Sequence, residues 1–192
     1  MSSLSDKAQT IRGVCLQEKR KDPIVIAKKL MHLACVSMHG PEHHFLDGAA
    51  FLTAYHNIEG GFDLAEALDE LFERSSLMPG ATCGYWGVCG SSSSVGGALS
   101  ILHHCGPLSD DEFYKDNLRL TSRCLAKIAE CGGPRCCKRN AFLSITTASA
   151  FVQEKYGVEM DVAPFVCEFS AMNPTCLHER CPFNPNAGKS GV

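Results

Sequence analysis

The sequence predicts a mainly α protein: a single compact helical domain with a Cys/Pro-rich C-terminal tail folded back on it. Three observations carry that expectation. Apolar residues recur at helical spacing in one stretch after another from residue 24 to residue 156. No stretch sustains the period-two alternation of a half-buried strand, so a large sheet is not expected. The end of the chain is rich in Pro, Asn and Cys and has no helical stripe, so it reads as a loop-like tail that something must hold down. The expected division is a polar N-terminal segment (1–22), a helical body (23–160) and a Cys-rich tail (161–192).

The elements follow in order. Residues 24–38 carry Ile26, Leu30, Leu33 and Ala34 on one helical face. The run GPEHHFLDGAAFLTAYHN reads as a second helix, with Pro41 suited to its first position because proline needs no donor there. Asp63 and Glu66 have capping-box spacing ahead of Leu64, Leu68, Leu71 and Phe72, which predicts a third. The run GSSSSVGGALSILHH passes straight from small residues into apolar ones, as a flexible linker would not. It reads as a buried helix whose start lets another backbone approach. Ser109 and Glu112 repeat the capping device before the stripe Tyr114, Leu118, Leu125 and Ile128. Phe142, Ile145, Ser149, Val152 and Tyr156 make a last stripe, ended by Gly157. YGVEMDVAPFVCEF is expected as a short strand or an irregular segment.

Composition narrows the function classes. With 45 % hydrophobic and 20 % charged residues, the 192-residue chain can bury a proper core. Its net charge of -3 and lack of a basic stripe argue against nucleic acid. No apolar run is long enough to span a membrane, and the polar N-terminus has no apolar core of signal-peptide length. The expected setting is therefore cytoplasmic. There the twelve cysteines are kept reduced, which points to metal ligation or thiol chemistry rather than disulfides.

Three cysteine groups stand out. Cys83 and Cys89 flank a glycine-rich turn. Cys131, Cys136 and Cys137 lie beside Arg135, Lys138 and Arg139. Cys167, Cys176 and Cys181 lie in the tail, the last followed by Pro182 as in ferredoxin-type runs. Zinc sites favour a spacing of two to four between paired ligands, which the Cys83/Cys89 gap and the vicinal Cys136/Cys137 pair fit poorly. The expected ligand set is Cys83, Cys89, Cys136, Cys137, Cys176 and Cys181, sharing one site. The expected cofactor is an iron–sulfur cluster of the 4Fe–4S type, with zinc as the alternative. Cys15, Cys35, Cys105 and Cys124 read more simply as small core hydrophobes. The cations near Cys136 and Cys137 favour thiolates, so a nucleophilic role is also open to that pair. MHGPEHHFLD adds His39, His43 and His44, with His43 and Asp47 one helical turn apart as a base or ligand and its orienting carboxylate would be. A buried, satisfied histidine is the plainer reading of that pair. The candidate catalytic residues are Cys136, Cys137, His43, His44 and Arg135. His178, between two tail cysteines, is a candidate further ligand.

At GPEHHFLDGAAFLTAYHN, CGYWGVCG, GGPRCCKR and CLHERCPF the chain resembles an uncharacterised cysteine-rich domain family, over roughly residues 35–185. That family occurs alone or attached to S-adenosylmethionine-dependent methyltransferases in anaerobic-type bacteria and archaea. Its pattern matches here at His43, His44, Cys83, Trp86, Cys89, Arg135, Cys136, Cys137, Cys181 and Pro182. The resemblance implies an anaerobic, metal-related setting and a methyltransferase or other anaerobic-metabolism enzyme as partner, and no defined reaction. Three functions compete on this reading: an iron–sulfur protein serving sulfur transfer or one-carbon transfer, as enzyme or accessory; a structural zinc module that meets a partner protein; and a metal-free thiol oxidoreductase, which lacks the usual C-x-x-C pair.

Overall fold

The computed structural model describes residues 3–188, and among them the chain is all helical. Eight α-helices follow in order: α1 (Leu4–Gln17), α2 (Pro23–Met31), α3 (His43–Glu59), α4 (Leu64–Ser76), α5 (Thr82–Tyr85), α6 (Gly90–Leu102), α7 (Glu112–Cys131) and α8 (Cys137–Tyr156). Two short 3-10 turns, Ser170–Met172 and His178–Arg180, lie in the tail.

Local chemistry places the helix ends. Ser3 and Asp6 form a reciprocal capping box that starts α1 inside the segment expected only to be polar. The sequence reading missed this helix because just three of its residues, Ala8, Ile11 and Cys15, are buried. Asp22 accepts from the amides of Ile24 and Val25 to start α2, with Pro23 in the first position. That helix stops at Met31, earlier than the apolar stripe suggests, and residues 32–38 turn back toward α8, where Ser37 O accepts from Lys138 Nζ at 2.9 Å. Pro41 sits in the turn before α3, whose N-cap is Glu42. Asp63 caps α4 as expected, accepting from Glu66 N at 3.0 Å. The cap of α7 is Asp111 rather than Ser109, whose hydroxyl instead accepts from Gly106 N in the preceding turn. Gly157 ends α8 with φ 71°, a left-handed conformation that costs glycine little.

Helix α3 is the centre of the molecule. Every residue from His43 to Thr53 is buried, and α1, α2, α4, α6 and α8 all pack on it. A helix whose apolar residues lie on all sides, interrupted only by His43, His44, Asp47 and Thr53, must be enclosed in this way. Its closest approach is to α6: Gly48 N donates to Ser94 Oγ at 2.8 Å, and a Cβ at Gly48 would lie 2.6 Å from Ser94 O. The serine- and glycine-rich run is therefore a packed helix whose small residues let two backbones meet.

Among the described residues the segment after α8 is irregular, with no strand, and folds back on the body. Phe165 and Phe183 stack on each other and both meet Phe142 edge-on. Glu168 pairs with Lys28 and His32 of the α2 region. Phe169 is buried beneath His32. Cys167 N donates to Phe183 O at 2.7 Å, closing the tail into a loop.

Candidate functional site

Two sites lie on either side of the start of α8. The first is between that helix start and the tail. Cys136, Cys167, Cys176 and Cys181 line a single small cavity of about 20 Å³, with Arg139, Asn173 and an apolar wall that includes Phe142 and Phe169. The sulfurs are met by backbone amides. Arg139 N donates to Cys136 Sγ at 3.4 Å, Phe169 N to Cys167 Sγ at 3.4 Å, and His178 N to Cys176 Sγ at 3.3 Å. The Phe183 amide lies near enough to Cys181 to lower its thiol. Asn173 Nδ2 adds a second donor to Cys136 at 3.5 Å. Three of these amides come from two residues after the cysteine, so each short turn of the tail aims its own donor at its own sulfur. Burial pushes the Cys167 and Cys181 thiols up, and each of these two is raised further by Cys136 and Cys176. Four sulfurs thus share one field.

Arg139 supplies a charge of the opposite sign. Its side chain is 3 % exposed and lines the cavity, and it lowers the Cys181 thiol. Its Nη2 donates to the carbonyls of Gly132 and Pro134, at 2.7 and 3.0 Å, while Nε has no hydrogen-bond partner. Among the described residues no carboxylate pairs with it. A buried cation without a carboxylate is costly unless another anion is near.

The second site lies on the other face of the same helix start. His39, His43, His44, Cys83, Cys89, Arg135 and Cys137 share a chamber of about 260 Å³. It adjoins an open cleft of about 760 Å³ that also includes Cys83, Cys89, Arg135 and Asn140 and is floored by Leu125, Ala126, Ile128 and Ala129 of α7. His43 Nδ1 lies 3.4 Å from Asp47 Oδ1, and its Nε2 lies 3.1 Å from Lys138 Nζ. His44 Nδ1 lies 3.3 Å from Met78 O, and burial lowers its pKa, as it does for His39. Asn140 Nδ2 donates to Cys89 Sγ at 3.3 Å. Burial pushes two of the three chamber thiols up: Cys89 is raised and Cys137 goes to about 12.

The six cysteines expected to share one site are therefore divided. Cys136, Cys176 and Cys181 lie in the tail cavity; Cys83, Cys89 and Cys137 lie in the histidine chamber. The reason lies at the start of α8. Cys136 is the extended N-cap of α8 and Cys137 its first helical residue, and the two side chains leave the backbone in different directions. Of the candidate catalytic residues, His43, His44, Arg135 and Cys137 meet in the chamber, and Cys136 lies in the other cavity. Cys167, left out of the expected ligand set, completes the tail group. Its place in a three-cysteine tail run was the available signal. His178 contributes its amide to Cys176. Nothing in the sequence singled out Asn140 or Thr82. Among the described residues, no group of three or more His, Cys, Asp or Glu side chains is set to hold a metal ion as it stands.

Residues 11–184 match a family model described as a family of unknown function (DUF5714). The chain belongs to that family. No curated protein and no solved structure matches it. No helix of the described residues is long and apolar enough to cross a membrane.

Proposed function

We propose that this DUF5714 protein is a metal–thiolate protein whose centre is held by Cys136, Cys167, Cys176 and Cys181. The observation that carries the reading is that all four sulfurs line one cavity with a backbone amide beside each, three of them donating a hydrogen bond, while a buried arginine without a carboxylate among the described residues stands beside them. Neutral thiols have little need of aimed donors and a buried guanidinium. Metal-bound thiolates, which carry negative charge into a low-dielectric site, need both. The residues fit such a group by donor type and number, since four-cysteine sets hold zinc and iron–sulfur clusters alike.

Two occupants are supported by different features. The cavity's small volume, about 20 Å³, favours a single tetrahedral ion such as zinc. The proline after Cys181 and the irregular spacing of the ligands favour an iron–sulfur cluster. In either case the group would tie the tail to α8. Sulfur transfer or one-carbon transfer, alone or beside a methyltransferase, belongs to the same proposal as the work of the neighbouring histidine chamber.

Metal analysis and absorbance of anaerobically purified protein test the reading. Stoichiometric iron with sulfide and broad visible absorbance identifies a cluster; stoichiometric colourless zinc identifies the ion. Cys176→Ser with Cys181→Ser is expected to abolish metal retention, and Cys83→Ser with Cys89→Ser to leave it intact. A protein that carries no metal, or keeps it in the first double variant, overturns the reading.

A further inference from the structure

We infer that the histidine chamber is a binding site for a small oxyanion that also carries a hydrogen-bond donor, with the α7 cleft taking any apolar extension of it. The inference does not rest on the metal reading, because it uses the opposite face of the α8 start.

Four features of the chamber point to this ligand. The first is charge. Arg135 reaches both the chamber and the cleft, is exposed, and has no ion pair among the described residues. No carboxylate lines either space. Of the acids near the chamber, Glu42 pairs with Lys7 at 3.0 Å, and Asp47 meets His43 through Oδ1 and faces the charge of Lys138. The second is the backbone. Gly90 and Ser91 open the thirteen-residue helix α6 at the chamber wall, and no side chain caps that end. Such a terminus presents amide donors and a positive dipole end to an anion, with the Ser91 amide also near enough to Cys89 to lower its thiol.

The third feature is a pair of buried polar groups without partners. Thr82, 3 % exposed, lines the chamber with a hydroxyl that makes no hydrogen bond. Asn140, 4 % exposed, lines both spaces and leaves Oδ1 unpaired while its amide nitrogen is used by Cys89. Buried polar groups are nearly always satisfied, so two orphans facing one chamber mark a place where a ligand completes the hydrogen bonding. The Thr82 hydroxyl can donate to an oxyanion. Asn140 Oδ1 only accepts, so the ligand must donate to it through a hydroxyl or amine. The fourth feature is Cys89, a buried thiol that accepts from Asn140 and that burial pushes up, so it does not repel an anion.

Size agrees. The inner chamber has room for a group of a few heavy atoms, and the outer cleft is in the range of small-molecule pockets. The cleft floor of Leu125, Ala126, Ile128 and Ala129 is apolar. A hydroxy- or amino-carboxylate and a hydrogen-phosphate share the required chemistry.

The test is calorimetric titration of the full chain with glycolate, acetate and inorganic phosphate, with Trp86 fluorescence as a second readout. Trp86 is the only tryptophan and is exposed on the turn that bounds the cleft. Saturable binding of glycolate or phosphate is expected, glycolate at least about ten-fold tighter than acetate. Glycolate binding alone identifies a carboxylate head, and phosphate binding alone a phosphoryl head. Arg135→Gln, a change at an exposed residue, should weaken binding about ten-fold or more while metal content stays at the wild-type level. Thr82→Val should weaken it less. No saturable binding of glycolate or phosphate, or binding unchanged in Arg135→Gln, overturns the inference. Loss of metal alone, with anion binding kept, bears only on the metal reading.

Discussion

Lys138 Nζ lies 3.1 Å from His43 Nε2, and both side chains are about 1 % exposed. Asp47, fully buried, holds the other ring nitrogen of His43 and leaves Oδ2 without a partner. A lysine, a histidine and an aspartate thus form a buried chain from α8 into α3. Beside it Lys138 also lies over the Phe169 ring at 5.2 Å, which links the chain to the tail.

Burial lowers the Lys138 pKa from its ordinary value, with Asp47 opposing the shift. A lysine whose folded pKa is depressed binds fewer protons folded than unfolded, so its contribution to stability grows as pH rises through the lowered value toward about 10.4. Lys138→Met removes that charge. Measured by urea unfolding across this window, the stability difference between wild type and variant should shift in favour of wild type as pH rises. A difference independent of pH would mean that Lys138 is not desolvated as described.

Glu42 carries acid sensitivity. Burial pushes its carboxyl up, but hydrogen bonds from the Ser37 amide, its own amide and Lys7 overcome this and hold it at about 2. Its contribution is therefore complete above about pH 4.5 and lost as pH falls toward 2. Glu42→Gln should cost on the order of 2 kcal/mol near pH 7 and almost nothing near pH 2, by denaturant unfolding. An equal cost at both pH values would refute the assignment.

Gly48 tests the α3–α6 contact. Gly48→Ala brings a Cβ within 2.6 Å of Ser94 O and 2.9 Å of Leu71 Cδ2. The two helices must separate, so a loss of about 1–3 kcal/mol is expected, with a lower melting temperature in calorimetry. Gly13→Ala, where a Cβ meets nothing within 4 Å, is the control and should stabilise α1 slightly. Equal stability of the two variants would mean that the crossing is looser than described.

Thiol reactivity should sort the cysteines by site. Burial pushes Cys15 up to about 11 and Cys124 up to about 12. Both should resist alkylation at mildly alkaline pH until the chain unfolds. Cys136 and Cys176 should react after chelation but not before, because a bound metal protects its thiolates. Mass spectrometry of the modified peptides reads this directly. Early modification of both in metal-loaded protein would contradict the ligand set.

Much of the fold was determined by the sequence alone. The capping at Asp63, the stop at Gly157 and the helical stripes depend on residues three or four apart, so the chain writes them locally. The same holds for the candidates of the second site: His43 and Asp47 meet because a helix turn brings positions four apart together. Other features needed the tertiary structure. The α1 helix was missed because its buried face is short, and Asp111 took the cap of α7 because both candidates precede the same helix and only the packed turn chooses between them. Nor could spacing separate Cys136 from Cys137, bring Cys167 to Cys136, or set Lys138 against His43. Those meetings depend on how α8 crosses α3 and on the path of the returning tail, which are decided by burying Phe142, Phe169 and Phe183 together with the charged groups between them. A residue's neighbours along one helix are set by its own backbone; its neighbours across helices are set by the whole core.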